Sequence, residues 1–344
     1  MDPSLTYDDI LIEPQYSEVI SRKDVDTSIE IKNLKLAMPV IAANMTNVIS
    51  LDMCIALGKA GGIATIDQFM TIDDQVDMIK KVKSKKLPIA AACGVTKDFK
   101  ERSKAIIEAG ADMIVFDTPH AHSILAKEAV SYCRKKFPKS LIACGNVATS
   151  EGTKMLIDAG VDIIKVGVGP GAACITRVAA GVGVPQFTAV LECAKIAKIH
   201  NRFIIADGGV KTSGNFAKAL AAGADLVMFG GLLAGCDEAP SELIIRDGVK
   251  YKRYFGSASA AAKQVRIKKD THYKGKPNEF VEGAEGYVKY RGPVAKVVEE
   301  YKMGLASAMS YSNAKTIHSF QANVKFVRVT SIGERENGPH GLIR

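Results

Sequence analysis

The stretch DIIKVGVGPGAACITR, residues 162–177, sets a short apolar run directly before a glycine-rich turn that carries Cys174 and Thr176. The run reads as a strand, and the turn as a segment able to hold a thiolate and backbone N–H groups against a phosphorylated ligand. On its own such a turn is equally well a tight connection, and a cysteine two residues before a threonine is common by chance. Its meaning depends on what the rest of the chain builds around it.

Seven more apolar or β-branched runs recur: MPVIAAN around Val40, GGIATI around Ile63, PIAAACG around Ala90, MIVFD around Val115, LIACGN around Ile142, FIIAD around Ile204 and DLVMFG around Val227. Between them IDDQVDMIKKVKS, KERSKAIIEAG, EGTKMLIDAG and SGNFAKALAAG carry apolar residues three and four apart, and several end in AG, where glycine suits a helix C-cap. Near-continuous apolar strands alternating with such helices predict parallel β/α units, and eight of them predict an α/β fold of the closed (β/α)8 TIM-barrel type. A doubly wound sheet would need fewer strands and a switch point, and ranks second.

Strand centres fall about 25 residues apart, except for a gap of about 40 between the sixth and seventh. The surplus is a loop over residues 167–187, on the face where such barrels build their sites. A second surplus runs from about Leu232 to Pro293, after the eighth strand, before the helical pattern VAKVVEEYKMGLASAMS; its polar middle predicts a flap over residues 255–292. No linker-like break divides residues 1–344, so a single domain is expected.

Composition is that of an ordinary globular protein, 47% hydrophobic and 24% charged, with no apolar run long enough to span a membrane. The net charge of +9 is spread along the chain, which argues against a nucleic-acid partner; the densest basic stretch, Lys263 to Lys276, reads as a solvated loop or a cover for an anionic cofactor. Seven scattered cysteines without a CxxC pair, and an acidic start without a signal-peptide pattern, lead us to expect a reducing, cytoplasmic setting.

The seventh strand ends ADGGV and the eighth FGG, so Gly208, Gly209, Gly230 and Gly231 stand where barrels bind a phosphate. Asp117 closes the fourth strand, where a carboxylate can reach a ribose hydroxyl or simply cap the next helix. His120 and His122 form an HxH, but the other four histidines lie away from strand ends, so a metal site is not expected.

Together these segments resemble the IMP dehydrogenase and GMP reductase family over essentially the whole chain: LTYDDILIEP at Leu5, AANM at Ala42, GVTKDFKER at Gly94, DTPHAHS at Asp117, GNVATSEG at Gly145, GPGAACITR at Gly169, GVGVPQ at Gly181, ADGGVKTSGNFAKAL at Ala206 and VEGAEG at Val281. The resemblance implies a purine nucleoside monophosphate over the barrel mouth, attacked at purine C2 by Cys174, with Thr176 and Glu282 managing protons. It further implies that Asp117, Asp207, Gly208, Gly209, Gly230, Gly231, Tyr254, Gly256 and Ser257 bind the nucleotide, and that Asp117, Thr118 and His120 meet a nicotinamide cofactor. Attack requires the thiolate, so the loop has to favour ionised sulfur through backbone N–H groups or a nearby charge.

The family has two branches. A dehydrogenase oxidises IMP with NAD and hydrolyses the adduct to XMP, using an arginine–tyrosine pair on the flap; a reductase expels ammonia from GMP and reduces the adduct with NADPH. The flap here reads KKDTHYKGKPNEFVEG, with His272-Tyr273 where that pair would align and Arg266 followed by isoleucine. With AANM, KYKRYFGSAS and no room for a regulatory tandem domain near Asp67, this resembles the GMP reductases. RVAAGVGVPQ and the tail SIGERENGPHG resemble dehydrogenases, the tail implying a potassium ion held by carbonyls of Gly169, Gly171 and Cys174 beside a neighbouring subunit's Glu336. Ala172 stands where the family often has a phosphate-binding serine.

The expectation is therefore an NADPH-dependent GMP reductase, with an IMP dehydrogenase as runner-up. An FMN-dependent barrel oxidoreductase and a non-catalytic nucleotide-binding protein are the alternatives of other classes. The resemblance also implies a homotetramer.

Overall fold

The computed structural model describes residues 3–269 and 280–338. Eight parallel strands close into a barrel: β1 Val40–Ala42, β2 Ile63–Ile66, β3 Ile89–Cys93, β4 Met113–Asp117, β5 Ile142–Val147, β6 Ile163–Val166, β7 Phe203–Asp207 and β8 Leu226–Phe229. All eight coincide with the runs read from the sequence. Closure is made by β8 against β1, in the register Val227↔Val40 to Phe229↔Ala42. Seven helices follow the first seven strands: α1 Leu51–Lys59, α2 Ile72–Lys83, α3 Phe99–Glu108, α4 Ile124–Lys136, α5 Ser150–Ala159, α6 Gln186–Ile199 and α7 Ser213–Ala221. The eighth, α8 Val294–Tyr311, comes after the second surplus. No helix among the described residues is long and apolar enough to cross a membrane.

Local chemistry explains where the helices start and stop. Ser50, Thr71, Ser123, Thr149 and Thr212 are N-caps whose side chains accept from a backbone N–H in the first turn of α1, α2, α4, α5 and α7. At the other ends, the glycines of the AG pairs, Gly110, Gly160 and Gly223, all take positive φ.

The AG pair continues as AGAD, AGVD and AGAD, and each Asp clamps the strand it opens to the strand before. Asp112, Asp162 and Asp225 accept from the N–H of Ile89, Ile142 and Ile204 at 2.9, 2.9 and 2.7 Å, and their own N–H groups donate back to those residues' carbonyls. Below, a hairpin of Ile29–Ile31 and Leu34–Leu36 plugs the barrel: Ile31, Leu34 and Leu36 are buried with the inward residues Ile41, Ile63, Ile163 and Ile205.

The second surplus differs from the expected flap in having an ordered root. Leu243–Arg246, Val249–Phe255 and Glu285–Lys289 form a three-stranded antiparallel sheet, and a helix, Ala260–Lys269, leaves from its end. The alternation in VKYKRYF fits this half-buried strand, with Lys252 and Tyr254 turned inward. His272 and Tyr273 lie outside the described residues.

Candidate active site

Of the seven cysteines, six are buried and Cys174 is only half-buried. Burial pushes the thiols of Cys54, Cys144 and Cys236 up to about 12 and those of Cys133 and Cys193 up to about 11, so they stay protonated and inert. Cys174 is therefore the thiol placed to react. Its Sγ lies 3.2 Å from Thr176 Oγ1.

The loop that carries it is held at both ends. Arg177 donates to the carbonyl of Val184 at 2.5 Å and to that of Val168 at 3.4 Å, drawing the loop's arms together. At its exit Gln186 donates to the carbonyls of Val166 and Asp207, tying the ends of β6 and β7.

The return segment from the flap runs antiparallel to the loop. Ile175 N–H donates to Glu282 O at 2.9 Å and Ala284 N–H to Ala173 O at 2.8 Å, with Cys174 bridging to Gly283. This sets Gly283 opposite Cys174 and Glu282 opposite Ile175, one residue along. Gly256 must be glycine at this seam, because a Cβ there would stand 2.7 Å from Ala173 O.

The glycine-lined strand ends converge on the same loop. Gly208, at φ +94°, presses so close that a Cβ would come within 2.9 Å of Gly171 N. A Cβ on Gly231 would meet the Tyr254 ring at 3.5 Å and Ala172 Cβ at 3.8 Å. Gly208, Gly171, Ala172, Gly231 and Tyr254 thus surround one spot, the cradle expected for a phosphate. Tyr254 keeps its proton: burial raises its pKa, and the charges of Asp207 and Cys174 raise it further. A Cβ on Gly209, at φ +82°, would meet Gln186 and Tyr7 at 3.3 Å. Gly230 stands against the Tyr254 hydroxyl as the N-cap of the turn Gly231–Ala234. Ser257 offers its carbonyl to Arg266 at 2.6 Å.

Asp117 and Asp207 meet across the mouth on one side chain that sequence reading passed over, Lys165. Its Nζ sits 2.7 Å from Asp117 Oδ1 and 3.0 Å from Asp207 Oδ2. Asn44 donates to Asp117 Oδ2 and Asn146 to Asp207 Oδ2, each at 2.9 Å, and Lys165 also donates to Asn146 Oδ1. Burial works against ionisation of Asp117, but the Lys165 ammonium outweighs it and holds the carboxyl below its usual range. The available signal was a lone lysine inside an otherwise apolar barrel strand, a position that demands an anionic partner.

Thr118 exchanges backbone hydrogen bonds with Gly145 and Asn146, and His120 is exposed beyond it. The His120 and His122 rings lie 6.2 Å apart, and no group of three or more His, Cys, Asp or Glu side chains suited to a metal occurs among the described residues. Asp117, Thr118 and His120 give this rim a carboxylate, a hydroxyl and an imidazole, a donor and acceptor set that suits the ribose and carboxamide of a nicotinamide nucleotide. Gly169, Gly171 and Cys174, whose carbonyls the resemblance assigns to potassium, lie on this one loop, where Gly171 O also accepts from Cys174 N–H at 2.9 Å; no chemical step is assigned to a cation.

Comparison with known proteins agrees with this geometry. The family model "IMP dehydrogenase / GMP reductase domain" matches residues 4–340. Inosine-5'-monophosphate dehydrogenase of Bacillus subtilis is 34% identical over 468 aligned positions, covering 98% of this chain and 96% of that protein. The alignment exceeds this chain's 344 residues, so the relative carries insertions absent here. The Streptococcus pyogenes enzyme of the same name is 43% identical over 291 positions, 83% of this chain and 58% of its own length. A crystal structure of a cysteine-to-alanine variant of GMP reductase from Trypanosoma brucei, in complex with guanosine 5'-monophosphate, superposes with a TM-score of 0.94 at 31% identity, over 100% of this chain and 99% of that one. A barrel with this loop, this flap seam and these matches has one assignment: the chain belongs to the IMP dehydrogenase/GMP reductase family of purine nucleotide oxidoreductases.

Proposed function

We propose that the protein is a GMP reductase, converting GMP to IMP and ammonia at the expense of NADPH. The observation that carries this reading is the flap sequence KKDTHYKGKPNEFVEG, which lacks the arginine–tyrosine pair a dehydrogenase uses to activate water. The fit to a GMP reductase structure holding GMP supports it.

In this reading Gly208, Gly231 and Tyr254 hold the phosphate, and Asp117 and Asp207 bind ribose hydroxyls. Cys174 sulfur attacks purine C2, forming a C–S bond; the exocyclic nitrogen takes up a proton by way of Thr176 and Glu282, and the C–N bond breaks to release ammonia. Asp117, Thr118 and His120 would hold the cofactor. A bound reduced nicotinamide supplies the hydride that C2 requires, after which the C–S bond breaks and the thiolate is restored. The balance is GMP, NADPH and two protons giving IMP, ammonium and NADP+.

The runner-up, an IMP dehydrogenase with another residue in place of the missing arginine, is favoured by the names of its sequence relatives. Product analysis separates the two. Chromatography of a reaction with GMP and NADPH is expected to give IMP, with one ammonium per NADPH consumed; XMP accumulating from IMP and NAD instead would reject the reductase reading.

A further inference from the structure

Lys165 is 3% exposed, yet it projects from β6 between carboxylates at the ends of β4 and β7. Room for it comes from the neighbouring strand: Gly145 of β5 lies opposite Lys165, and a Cβ there would fall 2.5 Å from Lys165 Cβ. Neutral packing would suffice to fill a barrel layer, and burying an ammonium is costly unless its partners need it. Here they do. Asp117 and Asp207 stand only a quarter exposed, with Asn44 on the Asp117 oxygen away from Lys165 and Asn146 on the same Asp207 oxygen as Lys165. Both oxygens of Asp117 are engaged, whereas the hydrogen bonds found to the Asp207 carboxylate all fall on Oδ2. A ligand hydroxyl therefore meets carboxylates whose orientation is already fixed.

We propose that Lys165 is a positioning residue for nucleotide binding: one buried ammonium fixes Asp117 and Asp207 as a single preorganised acceptor pair for ligand ribose hydroxyls. The proposal rests on the reading of the barrel mouth as a purine nucleotide site. Lys165 touches neither the nucleotide nor the cofactor in this scheme; it acts through the two carboxylates. Preorganisation of this kind lowers the ordering cost of binding. Burial alone would depress the Lys165 pKa, but Asp117 and Asp207 raise it, which keeps the ammonium in place across neutral pH.

The test uses the full chain with Lys165→Met, which keeps the stem and removes the charge, and Lys165→Gln, which keeps N–H donors without it. Folding is checked by circular dichroism, and GMP and IMP affinities are measured by calorimetry from about pH 6 to 8.5. Each value is expressed as a ratio to the unaltered protein at the same pH, which cancels titration of the phosphate. The expected result is a folded Lys165→Met variant with Kd weakened roughly 100-fold and Lys165→Gln roughly 10-fold, the scale of losing charge-assisted hydrogen bonds. The Lys165→Met ratio should also vary with pH, because Asp117 then feels its burial without the opposing cation. A folded variant that binds within twofold at every pH would overturn the proposal, as would failure of both variants to fold, which would assign Lys165 to stability alone. Absence of GMP and IMP binding by the unaltered protein would instead reject the nucleotide-site reading beneath it.

Discussion

Cys174 differs from the other six cysteines in its surroundings, not its chemistry. The others are sealed in the core, while Cys174 is half-buried on a loop braced by Arg177 and Gln186 and faced by the flap return at Glu282. Its isolation among glycines was legible in the sequence, and so was its pairing with Thr176. Lys165 was not, because a single charged residue in DIIKV does not alter the strand pattern and its partners lie 48 and 42 residues away along the chain. Cys174→Ala should lower kcat by roughly 10⁴-fold or more, since the covalent route is lost, while GMP affinity stays within a few-fold. Parallel turnover and calorimetry check both halves of that expectation; turnover surviving in the variant would remove Cys174 from the nucleophile's role.

At the scale of elements, strands and helices were readable because each β/α unit repeats the same signals: an apolar run, a Ser or Thr cap, an AG end. The Asp that follows AG was overlooked, because its role is a clamp between adjacent strands that only the closed barrel displays. The three clamps are not equal. Asp112 pairs with Lys83, and Asp162 with Lys32 and Arg134, whereas burial pushes Asp225 up to about 7 despite the N–H of Ile204. A folded-state value above the unfolded one means that the native protein holds the extra proton. Stability from Asp225 is thus full below about pH 4 and falls as pH rises towards 7. Asp225→Asn, whose carbonyl can still accept from Ile204, should match the parent near pH 4.5 and exceed it by about 1–3 kcal/mol at pH 8. Denaturant melts at the two pH values measure this, and a difference independent of pH would contradict it. The flap seam belongs to this scale as well. Gly256→Ala would drive a methyl into Ala173 O, unseating the return strand from the Cys174 loop, and should cut kcat/KM at least about tenfold with little change in melting temperature. Unchanged kcat/KM would show that the seam does not shape the site.

For the whole molecule, the barrel and its long loop followed from the spacing of runs and surpluses, and the strand-end glycines put the proposed phosphate cradle at the barrel mouth. The antiparallel sheet at the root of the flap did not, because alternating VKYKRYF is a short signal inside a polar surplus and was read only as flap. In the proposed function the sheet matters, since it carries Tyr254 against Gly230 and Gly231 and leads the return segment, with Glu282, back onto the Cys174 loop. In the proposed function a site assembled from β1, β4, β6, β7, the loop and the flap would couple ligand binding to global stability. GMP at about 100 times its Kd should add close to 2.7 kcal/mol and raise the melting temperature by roughly 4 °C. No shift with GMP or IMP would argue against a nucleotide site at the mouth.

The most direct test of the account is nicotinamide absorbance at 340 nm in two parallel reactions, GMP with NADPH and IMP with NAD. Loss of absorbance in the first, with no change in the second, is the predicted result. A gain in the second with none lost in the first would contradict the reductase assignment and require another residue to activate water in place of the missing flap arginine.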